Sequence, residues 1–202
     1  MVIRAIFFDF DGVLVDSEPI HYETWSAVLA PKGIRVSFED YCRRFIGVSN
    51  REMIRALCQD HARPFDLDLF QAWYAEKRAL YDHKEPDIPP DLVEFIRNGL
   101  NGYLLGVVSS SRHSEVDPHL IRSGIRHRFE VVVCADDVPR LKPAPDPYQK
   151  ASALTGVVPT ECLAVEDSEA GERAALAAGM RVLRVGACAE VSPRLRACLE
   201  ST

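Results

Sequence analysis

The chain of 202 residues is 47% hydrophobic and 27% charged, which is typical of a globular protein and excludes extensive disorder. Its net charge of -6 argues against nucleic-acid binding, which requires clustered lysine and arginine. The N-terminal apolar run at 2–8 contains Arg4 and ends at Asp9, so it is too short and too polar for a signal peptide or a membrane span. We therefore expect a cytoplasmic protein with neither a nucleic-acid nor a membrane partner.

Short apolar runs that end in small or acidic residues predict five buried parallel strands. These runs lie at 3–8, 104–108, 131–134, 163–165 and 182–185. Segments of helical period separate the later runs, and they lie at 91–98, 115–122, 146–155 and 169–178. This alternation predicts an α/β fold with a doubly wound, Rossmann-like parallel sheet.

The stretch 17–85 breaks the alternation, because it contains helical segments with no strand between them. These segments lie at 20–29, 38–45, 50–61 and 66–81. Ser49 and Glu52 have the spacing of a capping box at the start of the third segment. Three prolines, Pro86, Pro89 and Pro90, mark the return to the sheet. We predict a catalytic core at 1–16 and 86–202 with an inserted all-helical cap domain at 17–85.

Polar side chains follow the predicted strands at the points where the strands end. Ligands of doubly wound sheets bind beyond the carboxyl ends of the strands, so these side chains are the candidates for function. In chain order they are Asp9 and Asp11, Ser109 and Ser110, Lys142, and Glu166 and Asp167. We expect all of them to meet at one edge of the sheet.

Carboxylates clustered in this way need a cation to remain ionised together. Oxygen ligands of this kind suit Mg²⁺, which keeps several waters and is completed by a phosphate oxygen of the substrate. The hydroxyl of Ser109, the backbone N–H groups that follow it and the ammonium of Lys142 would spread the charge of a phosphoryl group. The set predicts magnesium-dependent phosphoryl transfer.

Four motifs occur in order along the chain: Phe8-Asp9-Phe10-Asp11-Gly12-Val13-Leu14 with Asp16-Ser17-Glu18, Val108-Ser109-Ser110-Ser111, Lys142-Pro143-Ala144-Pro145-Asp146, and Val165-Glu166-Asp167-Ser168 with Gly171. In this order and spacing they resemble the haloacid dehalogenase superfamily, and within it the phosphatase and β-phosphoglucomutase-like group with a helical cap. The resemblance spans nearly the whole chain.

The resemblance implies a role for each strand-end residue. Asp9 would be the nucleophile that forms an aspartyl-phosphate, and Asp11 the acid that protonates the leaving oxygen and then serves as base for water. Mg²⁺ would be held by Asp9, the backbone carbonyl of Asp11, and Glu166 and Asp167, either of which could act through a water. Lys142 would assist catalysis and bind the phosphoryl group together with Ser109 and Ser110.

The resemblance also implies that cap residues contact the substrate. His21 follows Asp11 at a spacing that the mutases use near their active site. Residues 48–51 occupy the loop that closes over the leaving group in relatives, and Lys77 would add a second contact to an anion. The expected cap residues are His21, Val48, Ser49, Asn50, Arg51 and Lys77.

We predict a phosphatase that acts on a small phosphorylated metabolite of the sugar phosphate or phosphoglycolate type. We expect the protein to be a monomer or a weak homodimer. The nearest alternative is a β-phosphoglucomutase-like phosphomutase, which shares every core residue and needs a second phosphate site in its cap. Arg51 could supply that site. A receiver-type phospho-switch is disfavoured by the helical insertion and by the second acid, Asp11. The substrate itself is left open.

Overall fold

The computed structural model describes residues 2–16, 18–45, 48–81 and 87–201. The chain divides into a core unit, Met1–Asp16 with Asp87–Thr202, and a helical unit, Ser17–Pro86. Residues 17 and 86, where we predicted the passages between the two domains, lie outside the described residues. The assignment of the helical unit as a cap stays a prediction.

The described part of the core unit contains five parallel strands in one sheet, in the order β3-β2-β1-β4-β5. The strands are β1 (Ala5–Phe8), β2 (Leu104–Val108), β3 (Phe129–Val133), β4 (Cys162–Glu166) and β5 (Arg181–Arg184). Phe8 lies opposite Val107 on one side and Val165 on the other, so β1 runs through the centre of the sheet. The predicted α/β fold is confirmed.

Helices cover both faces of this sheet. They are α5 (Pro90–Glu94), which continues as a π-helical turn at Phe95–Gly99, α6 (His113–Arg122), α7 (Asp146–Thr155), α8 (Glu169–Ala177) and α9 (Cys188–Glu200). Alternate residues of β1 point to opposite faces. Ile6 packs in one buried cluster with residues of α5, α6 and α9, whereas Phe7 packs in a second cluster with residues of α7 and α8.

The largest difference from the sequence prediction in the core unit is α9, which was missed. Pro193 lies inside this helix, and proline usually argues against a helix interior. Its buried residues, Cys188, Val191 and Leu195, have the spacing of one helix face, so the apolar pattern of this helix was present in the sequence. Burial against the sheet, rather than local propensity, therefore stabilises α9.

The helical unit contains α1 (Glu18–Leu29), α2 (Phe38–Phe45), α3 (Asn50–Asp60) and α4 (Leu67–Tyr81). Aromatic and aliphatic side chains fill its interior, including Trp25, Tyr41, Ile54 and Trp73. The predicted capping box is confirmed, because Ser49 Oγ accepts from the backbone N–H of Glu52 and donates to its carboxylate at 2.7 Å. Among the described residues, no helix combines the length and the apolar character needed to cross a membrane.

Candidate active site

The strand-end residues predicted from the sequence lie together at the carboxyl edge of the sheet. Asp9 directly follows β1, Ser109 follows β2, and Glu166 is the last residue of β4. Because β1 lies between β2 and β4, these three strand ends are neighbours. The backbone N–H of Asp9 donates to the carbonyl oxygen of Val165 at 2.9 Å and ties the loop after β1 to β4.

The ammonium group of Lys142 binds two of the carboxylates. Its Nζ lies 2.8 Å from Asp9 Oδ1 and 2.6 Å from Glu166 Oε1, and it also donates to the backbone oxygen of Val108 at 2.8 Å. Burial of Lys142 would lower its pKa, but the negative charges of Asp9 and Glu166 outweigh burial and raise it. The lysine is therefore charged at neutral pH and holds both carboxylates in place.

Three carboxylates converge at this edge. Asp9, Glu166 and Asp167 each offer an oxygen, and these oxygens lie within 4.8 Å of one another. Glu166 is fully buried and Asp9 nearly so. Burial, followed by the charge of Glu166, raises the pKa of Asp9 well above its ordinary value and raises the pKa of Asp167 to about 6. When ionised, the three carboxylates carry more negative charge than the ammonium of Lys142 offsets.

The residues present fit a divalent metal ion, because the donors are hard carboxylate oxygens and their excess charge calls for a cation. The loop after β1 is shaped for close approach to this cluster. A Cβ at Gly12 would lie 2.1 Å from Asp167 Oδ2, and the φ of Gly12 is 77°, which favours glycine. The carbonyl of Asp11, the other predicted ligand, belongs to the same loop.

The second acid of the first motif is held by a serine whose role the sequence analysis missed. Ser111 Oγ donates to Asp11 Oδ2 at 2.8 Å. Ser109 is fully buried and its Oγ accepts from the backbone N–H of Ser111 at 2.9 Å, whereas Ser110 is exposed. The sequence feature that could have identified Ser111 is its position two residues after Ser109, which allows both side chains to face the strand-end site.

Tyr148 is a second site residue that the sequence analysis did not identify. It is fully buried, and its hydroxyl donates to Glu166 Oε1 at 2.5 Å. Burial, followed by the charge of Glu166, raises the pKa of Tyr148 well above its ordinary value, so the phenol keeps its proton. The signal that could have found it is a tyrosine in the first turn of the helix that directly follows the Lys142 loop.

Two of the predicted substrate residues, at the start of α3, form hydrogen bonds within the helical unit. Ser49 forms the capping box, and Asn50 Oδ1 accepts from Trp25 Nε1 at 2.8 Å. Val48 and Arg51 are exposed. Ser49 and Asn50 thus have local roles in holding α1 and α3, while contact of all four residues with a substrate stays a prediction.

His21 and Lys77 lie close together in the helical unit, on α1 and α4. Lys77 is only 4% exposed, and His21 is partly buried. Burial, followed by the positive charge of Lys77, lowers the pKa of His21 to about 4. The imidazole is therefore neutral at pH 7 and its neighbour supplies the positive charge. Their contact with a substrate also stays a prediction.

The profile of a family described as haloacid dehalogenase-like hydrolase matches residues 6–185. Fructose-1-phosphate phosphatase YqaB of Escherichia coli is 30% identical over 183 residues, which cover 90% of this chain and 95% of that protein. Beta-phosphoglucomutase of Bacillus subtilis is also 30% identical, over 91% of this chain and 84% of that protein.

A solved structure extends the likeness to three dimensions. It is a haloacid dehalogenase-like protein of unknown function from Agrobacterium tumefaciens, 30% identical, with a TM-score of 0.79. The match covers 96% of this chain and 90% of that one, and therefore includes both units.

Proposed function

The chain belongs to the haloacid dehalogenase-like hydrolases and is an enzyme of their phosphatase group, and from this we propose that it hydrolyses a small phosphorylated metabolite with Mg²⁺. The substrate class is a sugar phosphate or a phosphoglycolate-type ester. The observation that carries the proposal is the buried Asp9, which Lys142 holds within the group of three carboxylates. The cytoplasm is its expected location.

Asp9 acts as the nucleophile in this proposal. One of its carboxylate oxygens forms a bond to phosphorus while the bond from phosphorus to the ester oxygen breaks, which gives an aspartyl-phosphate. The contact of Lys142 with Asp9 Oδ1 orients the carboxylate and favours its ionised form before the substrate arrives. Burial and the charge of Glu166 outweigh this contact and leave the pKa of Asp9 well above its ordinary value, so a bound cation would be needed to hold the nucleophile ionised.

Asp11 carries the proton in both half-reactions. As a carboxylic acid it protonates the departing ester oxygen, and as a carboxylate it then takes a proton from the water that attacks the aspartyl-phosphate. The second attack breaks the bond between phosphorus and Asp9, releases inorganic phosphate and regenerates the nucleophile. Ser111 orients Asp11 through its hydrogen bond of 2.8 Å.

The phosphoryl group is bound by Lys142, by the buried hydroxyl of Ser109 and by the backbone at Ser110. Each provides a donor fixed before the reaction, and such preorganised donors stabilise the charge that develops in the transition state. Asp9, Glu166, Asp167 and the carbonyl of Asp11 would hold Mg²⁺, which supplies positive charge next to the phosphate oxygens when bound.

A β-phosphoglucomutase-like activity is the second candidate, and the relative from Bacillus subtilis favours it. A mutase must return the phosphoryl group from Asp9 to a second position of the sugar, so its cap needs a site for the other phosphate. Arg51 is exposed and available for that role, whereas the side chain of Asn50 is engaged by Trp25. Hydrolysis remains the preferred function.

The test is release of inorganic phosphate from phosphosugars, phosphoglycolate, nucleotides and an aryl phosphate, with Mg²⁺ or with excess chelator. We expect turnover that requires Mg²⁺ and is lost in Asp9→Asn. The matched control is Asp91→Asn, an exposed aspartate in the first turn of α5, which should retain turnover. Isomerisation of a glucose phosphate without phosphate release would instead establish the mutase, and no reaction with any ester would overturn both.

A further inference from the structure

A buried phenol contacts the carboxylate cluster from the side of α7. Tyr148 lies in the first turn of α7, which packs against β1, β2 and β3. Its hydroxyl is 2.5 Å from Glu166 Oε1, and the centre of its ring is 5.2 Å from Lys142 Nζ. One side chain therefore touches both the fully buried carboxylate and the ammonium that binds it.

The two oxygens of Glu166 have different surroundings. Oε1 accepts from both Tyr148 and Lys142, at 2.5 and 2.6 Å. Within the described residues, Oε2 accepts one longer hydrogen bond, from Ser168 Oγ at 3.3 Å. The two short contacts to Oε1 satisfy that oxygen and leave Oε2 more available to a cation.

The backbone of α8 also restrains the same carboxylate. A Cβ added at Gly171 would lie 2.0 Å from the carboxyl atoms of Glu166, so the carboxylate rests directly on the helix backbone. Tyr148 and Lys142 hold the carboxylate in this position through Oε1. Without the phenol, Lys142 alone would fix Oε1 while also serving Asp9 and the carbonyl of Val108.

We infer that Tyr148 is a positioning residue that fixes Glu166 for metal binding by engaging Oε1, so that Oε2 serves the cation. The inference rests on the proposed function, in which Glu166 is a ligand of Mg²⁺. Hydrogen bonds to a metal-binding carboxylate orient it before the metal arrives and so reduce the ordering that binding requires.

The test is a calorimetric titration of the full chain with Mg²⁺ in the absence of substrate, for wild type, Tyr148→Phe and Tyr103→Phe. Phenylalanine keeps the ring and its packing and removes only the donor. We expect Mg²⁺ to bind Tyr148→Phe about 10- to 100-fold more weakly than wild type, as is typical when such a partner is lost. Tyr103→Phe is the matched control, a partly buried tyrosine of the core unit away from the carboxylates, and should bind like wild type.

A role for Tyr148 in space filling alone would leave the Mg²⁺ affinity of Tyr148→Phe unchanged, because phenylalanine keeps the ring, and an unchanged affinity overturns the inference. Incorporation of 4-aminophenylalanine at position 148 restores a donor and should restore binding; failure to exceed Tyr148→Phe also overturns it. If Tyr148→Phe does not fold, 3-fluorotyrosine at position 148 takes its place in the titration, because it keeps the ring and the hydroxyl and changes only the strength of the donor; an unchanged Mg²⁺ affinity would then overturn the inference.

Failure of the proposed function gives a different result from failure of this inference. If wild type neither binds Mg²⁺ nor requires it for turnover, the metal assignment of Glu166 falls and the role of Tyr148 falls with it. If wild type binds Mg²⁺ and hydrolyses esters, but Tyr148→Phe binds Mg²⁺ equally well, only the inference about Tyr148 is overturned.

Discussion

The core unit and the helical unit fill their interiors in different ways. The core unit buries Asp9, Glu166, Lys142 and Tyr148 and satisfies them with one another. The helical unit also buries Lys77, but its interior consists mainly of aromatic and aliphatic side chains around a cavity of about 170 Å³, lined in part by Trp25 and Ser26. A connected polar network fixes each member in one geometry, whereas apolar packing around a cavity tolerates changes of size.

The largest effect is expected from Lys142→Met, which removes the cation from the polar network. Two buried carboxylates then lose their partner, and we expect the free energy of unfolding to fall by about 3 kcal/mol. Loss of a donor to the transferring phosphoryl group should lower kcat by about 10²- to 10³-fold. Urea denaturation in chelator and phosphate release measure the two effects.

The control for this change is Lys150→Met, on α7, the helix that follows the loop of Lys142. Lys150 donates to the backbone oxygen of Asp137 at 2.7 Å and is partly exposed. We expect the free energy of unfolding to fall by less than about 1 kcal/mol and turnover to be unchanged. Equal losses from the two lysine variants would contradict the special position of Lys142 in the network.

Gly171→Ala tests how tightly the network is held against α8. Alanine is favoured over glycine inside a helix by about 1 kcal/mol, so helix propensity alone predicts stabilisation. The added Cβ would instead collide with the carboxylate of Glu166. We expect the free energy of unfolding to fall by about 1–3 kcal/mol, the cost of overpacking, and Mg²⁺ affinity to fall as well. An increase in melting temperature would contradict this geometry.

Ser111→Ala should affect catalysis more than stability. The variant loses the hydrogen bond that holds Asp11 Oδ2, and a bond to a charged group contributes about 1.5–3 kcal/mol. If about half of this free energy is lost in the transition state, kcat/KM falls about 10-fold, since a factor of ten corresponds to about 1.4 kcal/mol. Ser114→Ala, at an exposed position of α6, is the control and should leave the kinetics unchanged.

Ser26→Leu tests the cavity of the helical unit. Ser26 lines this cavity, and filling such a space typically stabilises a protein by about 0.5–2 kcal/mol. We expect a gain near the middle of that range, about 1 kcal/mol, in thermal or urea unfolding. Ala27→Leu places the same side chain at the adjacent exposed position and should give no such gain. A destabilised Ser26→Leu would indicate that the helical unit is packed as tightly as the core unit.

The smallest effect concerns pH and His113 at the start of α6. Burial alone would lower the pKa of His113, but hydrogen bonds from its ring to Asp137 and Asp117, at 2.8 and 2.9 Å, raise it. The stabilisation is complete below the ordinary value of 6.5 and is lost as pH rises through the raised pKa. We expect the difference in free energy of unfolding between wild type and His113→Gln to be larger at pH 6 than at pH 9. Because the ring is partly exposed, the increase should be on the order of 0.5 kcal/mol, measured by urea denaturation. A constant difference across this range would contradict the assignment.

Local pattern was sufficient for the parts of the protein in which neighbours in the chain decide the structure. The apolar runs predicted the strands, and the capping pattern of Ser49 and Glu52 predicted the start of α3. α9 was missed because its stability comes from the sheet that it covers, and Pro193 obscures its local pattern.

The sequence by itself predicted that the acids and Ser109 would meet, because parallel strands bring their carboxyl ends to one edge of the sheet. Only the tertiary structure decided which side chains hold them. Tyr148 meets Glu166 across 18 residues, Ser111 meets Asp11 across 100, and Trp25 meets Asn50 across 25. Such contacts depend on how whole elements pack, and no periodicity within one segment encodes them.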